Sequence, residues 1–195
     1  MNYLIACCYT MQTPYEEEVK RLRASVQALG LPARIEGVAN LGSWEKNCQY
    51  KANFILQTLK EQSNNVVWLD ADAELQAIPV LFESLTTELA YHYLQHRNEL
   101  LSGTLFLRNC SKVHQLVKAW VALNAQNEEW DQKNLQQLVE AHPNLTTSIL
   151  PAAYCYIYNH PKQVVNDPVI VHYQASRRWK RKIRMDYVTQ QAKKI

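Results

Sequence analysis

Two aspartates, Asp70 and Asp72, stand one residue apart directly after the apolar run Val66-Val67-Trp68-Leu69. Carboxylates this close repel unless a proton or a cation comes between them. Hard divalent cations such as Mg2+ or Mn2+ take oxygen ligands of this kind and share the rest of their coordination with substrate phosphates. Glu74 adds a third acid on the same side. A solvated acidic turn would look similar. The buried strand ahead of the pair favours the metal reading, because α/β sheets place ligands just past the carboxyl ends of their strands.

Other residues fit the same chemistry. His172 follows Val169-Ile170-Val171, so it too ends an apolar run. A neutral imidazole there would complete a site with the aspartates, while a hydrogen-bonded structural histidine is the plainer alternative. Lys51 lies within a helical stretch nineteen residues before Asp70. A helical lysine usually sits at the surface, but the polar run Asn47 to Asn53 leaves room for ligand contact. Asp131, followed by Gln132, opens a helix; it reads either as an N-cap or as an acceptor of a hydroxyl proton. Gly103 breaks an apolar strand between Ser102 and Thr104, which suits a close ligand approach or plain sheet packing.

The elements that must position these residues follow from the pattern. Tyr3 to Tyr9, Ala33 to Ala39, Val66 to Leu69, Glu88 to Leu94, Leu100 to Leu107, Leu145 to Leu150 and Val169 to Tyr173 read as strands. Val19, Leu22, Val26 and Leu29 recur at helical spacing after Pro14 and three glutamates, and Gly30 ends that helix. Further helices are expected at Asn47 to Gln62, at Pro79 to Leu85, from a Ser111 cap to Asn127, and from Asp131 to near His142. Strands and helices alternate, so the expected fold class is α/β: a mixed, mainly parallel sheet flanked by helices, in one compact domain over residues 1–176.

Bulk properties narrow the function. At 195 residues the chain suits one core rather than two domains. With four glycines, no dinucleotide-binding or P-loop glycine motif is available. Five irregularly spaced cysteines make no CxxC pair and suit reduced thiols in a cytoplasmic protein. Neither a membrane-spanning run nor a signal peptide is expected. Eight basic residues and one acid lie from Arg177 onward, so the net +3 divides into a tail of about +7 and a body of about −4. The tail, residues 177–195, is expected to meet phosphate: a diphosphate beside Arg177 and Lys180, or anionic lipid in a peripheral membrane contact. An acidic body with no base-reading motif argues against nucleic acid.

Taken in order, the apolar strand ending Asp70-Ala71-Asp72, the segment Ser102 to Asn109, Trp130-Asp131-Gln132 and Val171-His172-Tyr173 resemble the GT-A glycosyltransferases, and more narrowly the nucleotide-diphospho-sugar transferases. The resemblance covers residues 3 to about 180. It implies transfer of a sugar from a nucleotide-diphosphate donor to a glycan, lipid or protein acceptor, with Mn2+ or Mg2+ as cofactor. Asp72 and His172 would ligate the metal, and Asp70 would lie between metal and ribose. Ala6, Cys7 and Tyr9 would border the base, Lys51 would lie near the donor, and Gly103 and Thr104 would line the sugar pocket. Asp131 and Gln132 would face the reacting sugar or the acceptor. The chain departs from the family in lacking an H-x-x-G-x-x-K-P-W segment after His172. Two rivals remain at this level: a D-x-D phosphatase of the haloacid dehalogenase type, and a non-catalytic nucleotide- or membrane-surface module. The first fits poorly, since its nucleophile stands on the first strand and this motif is mid-chain.

Overall fold

The computed structural model describes residues 1–177 and Trp179. Six strands make the central sheet: β1 (Tyr3–Thr10), β2 (Ala33–Val38), β3 (Asn65–Leu69), β5 (Leu89–Leu94), β6 (Glu99–Leu107) and β7 (Thr147–Ile149). Their order across the sheet is β2-β1-β3-β6-β5-β7. Parallel pairing of β1 with β2 and β3, and of β5 with β7, leaves β6 as the reversed strand, antiparallel to both neighbours.

Both faces are covered, and strand alternation decides which side chain goes where. Tyr3, Ile5 and Cys7 of β1, with Val67 and Leu69 of β3, pack under Val19, Leu22 and Val26 of α1 (Tyr15–Ala28). Ala6, Val66 and Trp68 face the other way, against Phe54, Ile55 and Leu59 of α2 (Trp44–Glu61) and against α4 (Ser111–Gln126) and α5 (Asp131–Ala141). Trp68 and Asp70 therefore share the α2 side of the sheet, and the Trp68 Nε1–H donates to Asp70 Oδ1 at 2.8 Å.

Local signals explain most helix ends. Glu16, Glu17 and Glu18 lie in the first turn of α1, where its dipole favours them. Gly30, at φ +63°, takes the left-handed conformation just past the helix. α2 starts three residues earlier than expected because the Ser43 hydroxyl accepts from the Lys46 amide, at 3.2 Å. Ser111 is not a cap: it is the first helical residue of α4, and Cys110 holds the cap position without a side-chain bond. Asp131 likewise follows the cap position, which Trp130 occupies. α3 is one turn, Leu81–Ser84.

The late chain differs more from expectation. β7 keeps three of the six expected residues. A second sheet, β4-β9-β8, joins Ala73–Leu75, Ile170–His172 and Tyr156–Ile157. Its β4–β9 pairing sets Ala73 opposite His172, which carries that imidazole to the turn after Asp72. Arg108 and Asn109, the last residues of the segment that began at Ser102, fasten the scaffold. Arg108 donates to the Leu85 and Thr87 carbonyls, and the Asn109 amide donates to the Leu59, Gln62 and Asn64 carbonyls. No helix among the described residues is long and apolar enough to cross a membrane.

Candidate active site

A cavity of about 300 Å³ opens where β1 and β3 end. Its floor is Trp68, Asp70, Ala71, Asp72 and, from β6, Ser102. One wall is Cys8, Tyr9, Thr10, Thr13 and Tyr15; another is the Asn40–Trp44 loop with Asn47, Cys48 and Lys51 of α2. Trp130, Asp131 and Gln132 close the far side, and Ser176 touches the edge. The fold puts it there because the parallel strands point their carboxyl ends the same way and leave a crevice between the flanking helices.

Lys51 is the centre of the polar floor. Its ammonium lies 3.0 Å from Asp70 Oδ1 and 3.1 Å from Asp131 Oδ2, and it donates to the carbonyl and hydroxyl of Ser102 at 3.2 and 3.0 Å. The Lys51 and Asp131 side chains are only 8% and 6% exposed. Burial alone would lower the lysine pKa, but the two carboxylates raise it above its ordinary value, so the cation persists. Burial raises the Asp131 carboxyl, Lys51 pulls it back, and the Asp70 charge raises it further. The Trp120 indole N–H holds the Asp131 carbonyl at 2.8 Å. Gln132 Oε1 accepts from the Ser102 amide, and its Nε2 donates to Glu99. Asp131 is thus an ion-pair partner with a fixed orientation, not a helix cap.

Asp72 and His172 make a second, adjoining cluster. The imidazole Nδ1 is 3.4 Å from Asp72 Oδ1, and Nε2 is 2.8 Å from the Thr104 hydroxyl. Asp72 Oδ2 accepts the Ala175 amide at 2.8 Å. Burial opposes charge on the imidazole, but Cys155 and Asp72 more than offset it and push its pKa up to about 10. Burial also opposes charge on Asp72, yet His172 and the Ala175 amide hold that carboxyl below its usual value. Gly103 separates this cluster from Asp70. A Cβ there would lie 3.1 Å from His172 Cε1 and 3.5 Å from Asp70 Oδ2. Glycine at this position keeps the space between Asp70 and the imidazole open. Gly103→Ala is therefore expected to force the ring aside and cost about 1–3 kcal/mol in urea unfolding; unchanged stability would show that the ring yields freely.

A divalent cation here would meet Asp70, Asp72 and His172, the imidazole only after losing the proton that Asp72 favours. Two carboxylates and an imidazole converge on one strand end, and Asp70 Oδ2 faces the gap that Gly103 keeps. Yet each group is also engaged by protein, and among the described residues no three His, Cys, Asp or Glu side chains gather closely enough to hold a metal ion.

The structure brings Tyr9, Lys51, Asp70, Asp72, Asp131 and Gln132 to the cavity wall. Gly103, Thr104 and His172 stand beneath it, Thr104 being fully buried against His172. Ala6 and Cys7 do not border it. Both are fully buried within the two cores, and the wall begins at Cys8, where the strand outruns its helices. Arg177 is exposed and outside the cavity lining, and Lys180 lies outside the described residues. Glu74 is not a third acid of the site: it sits on β4 and accepts from the Tyr173 hydroxyl at 2.7 Å. Burial pushes Cys8 up to about 12 and Cys48 well above its ordinary value, so neither thiol is a ready nucleophile. Trp44, Asn47 and Cys48 were not anticipated. With Lys51 they fall at helical spacing, so one face of α2 carries all four.

No family model matches the chain, and no curated protein matches it in sequence. Solved structures do. A glycosyltransferase involved in glycosylation of the major capsid of PBCV-1 superposes with a TM-score of 0.74 at 15% identity, covering 96% of this chain and 100% of that one. The glycosyltransferase GlyE of Streptococcus pneumoniae TIGR4 gives 0.61 at 13% identity, covering 88% of this chain and 54% of that one. The galactosyltransferase LgtC, solved with donor and acceptor sugar analogues, gives 0.56 at 10% identity, covering 88% and 87%. At such identities the likeness is one of fold, and it extends along nearly the whole chain: this protein has the GT-A glycosyltransferase fold.

Proposed function

We propose that the protein is a metal-dependent glycosyltransferase, moving a sugar from a nucleoside-diphosphate sugar to the hydroxyl of a glycan, lipid or protein acceptor. The observation that carries this reading is the buried Lys51, paired with Asp70 on the cavity floor and with Asp131 on its far wall. Burying a cation between two carboxylates carries a desolvation cost, and such clusters concentrate at functional sites; here the cation fixes two acids at the strand ends where α/β folds bind ligands. The sugar-transfer activities named for the three structural neighbours support the same reading.

Each residue then has a task. Asp72 and His172, with Asp70 shared toward the ribose, would hold Mg2+ or Mn2+ once the imidazole has given up its proton, and the bound cation would supply the charge that stabilises a departing diphosphate. Thr104 holds His172 by its Nε2. Tyr9 borders the base end, where β1 emerges. Gly103 leaves room beside Asp70. Lys51 keeps Asp131 ionised and aimed, so its carboxylate can accept a hydrogen bond from a sugar hydroxyl. In a reaction that inverts the anomeric centre, the same carboxylate would take the acceptor proton. Gln132 fixes the Ser102 amide beneath the sugar. Diphosphate or anionic lipid stays the proposed partner of the basic sequence from Arg177 onward, of which Arg177 stands outside the cavity lining.

Incubation with UDP- and GDP-sugars, with and without Mn2+, tests the proposal through release of nucleoside diphosphate. Release that needs the metal and stops with chelator is expected. No release from any nucleotide-sugar, or equal release under chelation, would contradict it.

A further inference from the structure

The cavity mouth carries an aromatic corner that the donor chemistry leaves unused. Trp44, the first residue of α2, and Trp130, just ahead of Asp131, both line the cavity. Their ring centroids are 5.6 Å apart, with the planes tilted by 49°. The corner is held from both sides. The Trp44 indole N–H donates to the Tyr15 hydroxyl at 3.3 Å. Gln49 of α2 donates to the carbonyls of Asn127 and Glu129 at 3.0 Å each, which pins the segment leading to Trp130.

Resting on the donor reading above, we infer that this corner is the acceptor subsite and that the acceptor is a glycan, presenting a pyranose ring to Trp130. Three observations carry this. Position comes first. Trp130 is 39% exposed at the rim, while its neighbour Asp131 is 5% exposed at the bottom, so a ring on Trp130 lies beside the reacting centre but outside it. Shape comes second. The two rings meet at an angle, which suits a puckered ring with one apolar face better than a flat base between parallel walls. The electron-rich face of an indole attracts the C–H bonds of that sugar face. Chemistry comes third. Ser43, Asn47 and Gln132 line the same cavity, and such groups recognise ring hydroxyls at the edge of an aromatic platform. A fatty chain would call for a longer apolar groove than this polar-edged corner provides.

Isothermal titration calorimetry of the full chain tests the assignment, using as probes a panel of methyl pyranosides and of the disaccharides lactose, maltose and cellobiose, with decyl phosphate as the lipid comparison. At least one saccharide is expected to give a saturable binding heat. Trp130→Ala and Trp130→Leu should both weaken that binding by about tenfold, and Trp130→Phe should keep most of it. The Leu variant retains apolar bulk without a ring, so loss in a folded Trp130→Leu beside retention in Trp130→Phe identifies stacking even if Trp130→Ala folds poorly. The inference is overturned if no saccharide gives a binding heat, if Trp130→Leu binds as tightly as the native chain, or if decyl phosphate alone responds. Turnover of nucleotide-sugars by the native chain, run beside it, separates the two readings. Saccharide binding without turnover sinks the donor reading and leaves the corner standing; turnover without saccharide binding does the reverse.

Discussion

Replacing Lys51 with methionine is expected to cost about 3–5 kcal/mol in urea unfolding and to remove detectable turnover. Methionine keeps most of the side-chain volume, so packing around Ala52, Phe54 and Trp68 should survive. What disappears is the cation within 3.1 Å of both Asp70 and Asp131. Asp131 is then a nearly buried carboxylate without a counter-charge, and Ser102 loses the donor to its hydroxyl and carbonyl. The pH dependence carries a sign of its own. Burial already raises the Asp131 carboxyl, and loss of Lys51 removes the group that pulls it back. In the variant, the folded state therefore binds a proton that the unfolded chain releases above about pH 4. Stability of the variant should rise as pH falls through that window, and the deficit against the native protein should narrow. A variant as stable as the native chain at pH 7 would show that the buried pair is not what holds the floor together.

Asp72→Asn is expected to lower turnover about a thousandfold, the equivalent of about 4 kcal/mol of transition-state stabilisation, and also to lower the melting temperature, because the buried His172 imidazolium loses its carboxylate partner. Asparagine is nearly isosteric and its amide oxygen can still accept the Ala175 amide, the bond that Asp72 Oδ2 makes now. The variant loses the negative charge that a divalent cation would require. Initial rates of nucleoside-diphosphate release, read beside a thermal melt, separate loss of chemistry from loss of fold. Full turnover would remove Asp72 from the site.

Parts of this arrangement were readable in the chain because they rest on local physics. The run Val66 to Leu69 is apolar on both faces, which only a sheet covered on both sides can satisfy, and Asp70 and Asp72 follow at once. The three glutamates of α1 and the glycine past its end mark that helix. The misses have a common cause, which is distance along the chain. The pairing of Ala73 with His172 closes a loop of about a hundred residues, and neither β4 nor β8 is long enough to announce itself. Lys51 was expected near the donor and does line the cavity, but nothing beside it in sequence shows that two acids, at positions 70 and 131, will converge on it. Ala6 and Cys7 failed for a different reason. Alternation sends Cys7 under α1 and Ala6 under α2, and only residues past the helix cover reach the cavity. The stripe Trp44, Asn47, Cys48 and Lys51 was there to be found, had the start of α2 been placed at its serine cap.

The most direct test of the central claim is the melting temperature of the protein with UDP- and GDP-sugars, each with and without Mn2+. A ligand that binds only the folded chain at a hundred times its dissociation constant stabilises by about 2.7 kcal/mol, which for a chain of this size is about 5–10 °C. Such a shift is expected for at least one nucleotide-sugar, only when the metal is present, and is expected to be lost in Asp72→Asn. No shift with any nucleotide-sugar, or the same shift without metal, would contradict it.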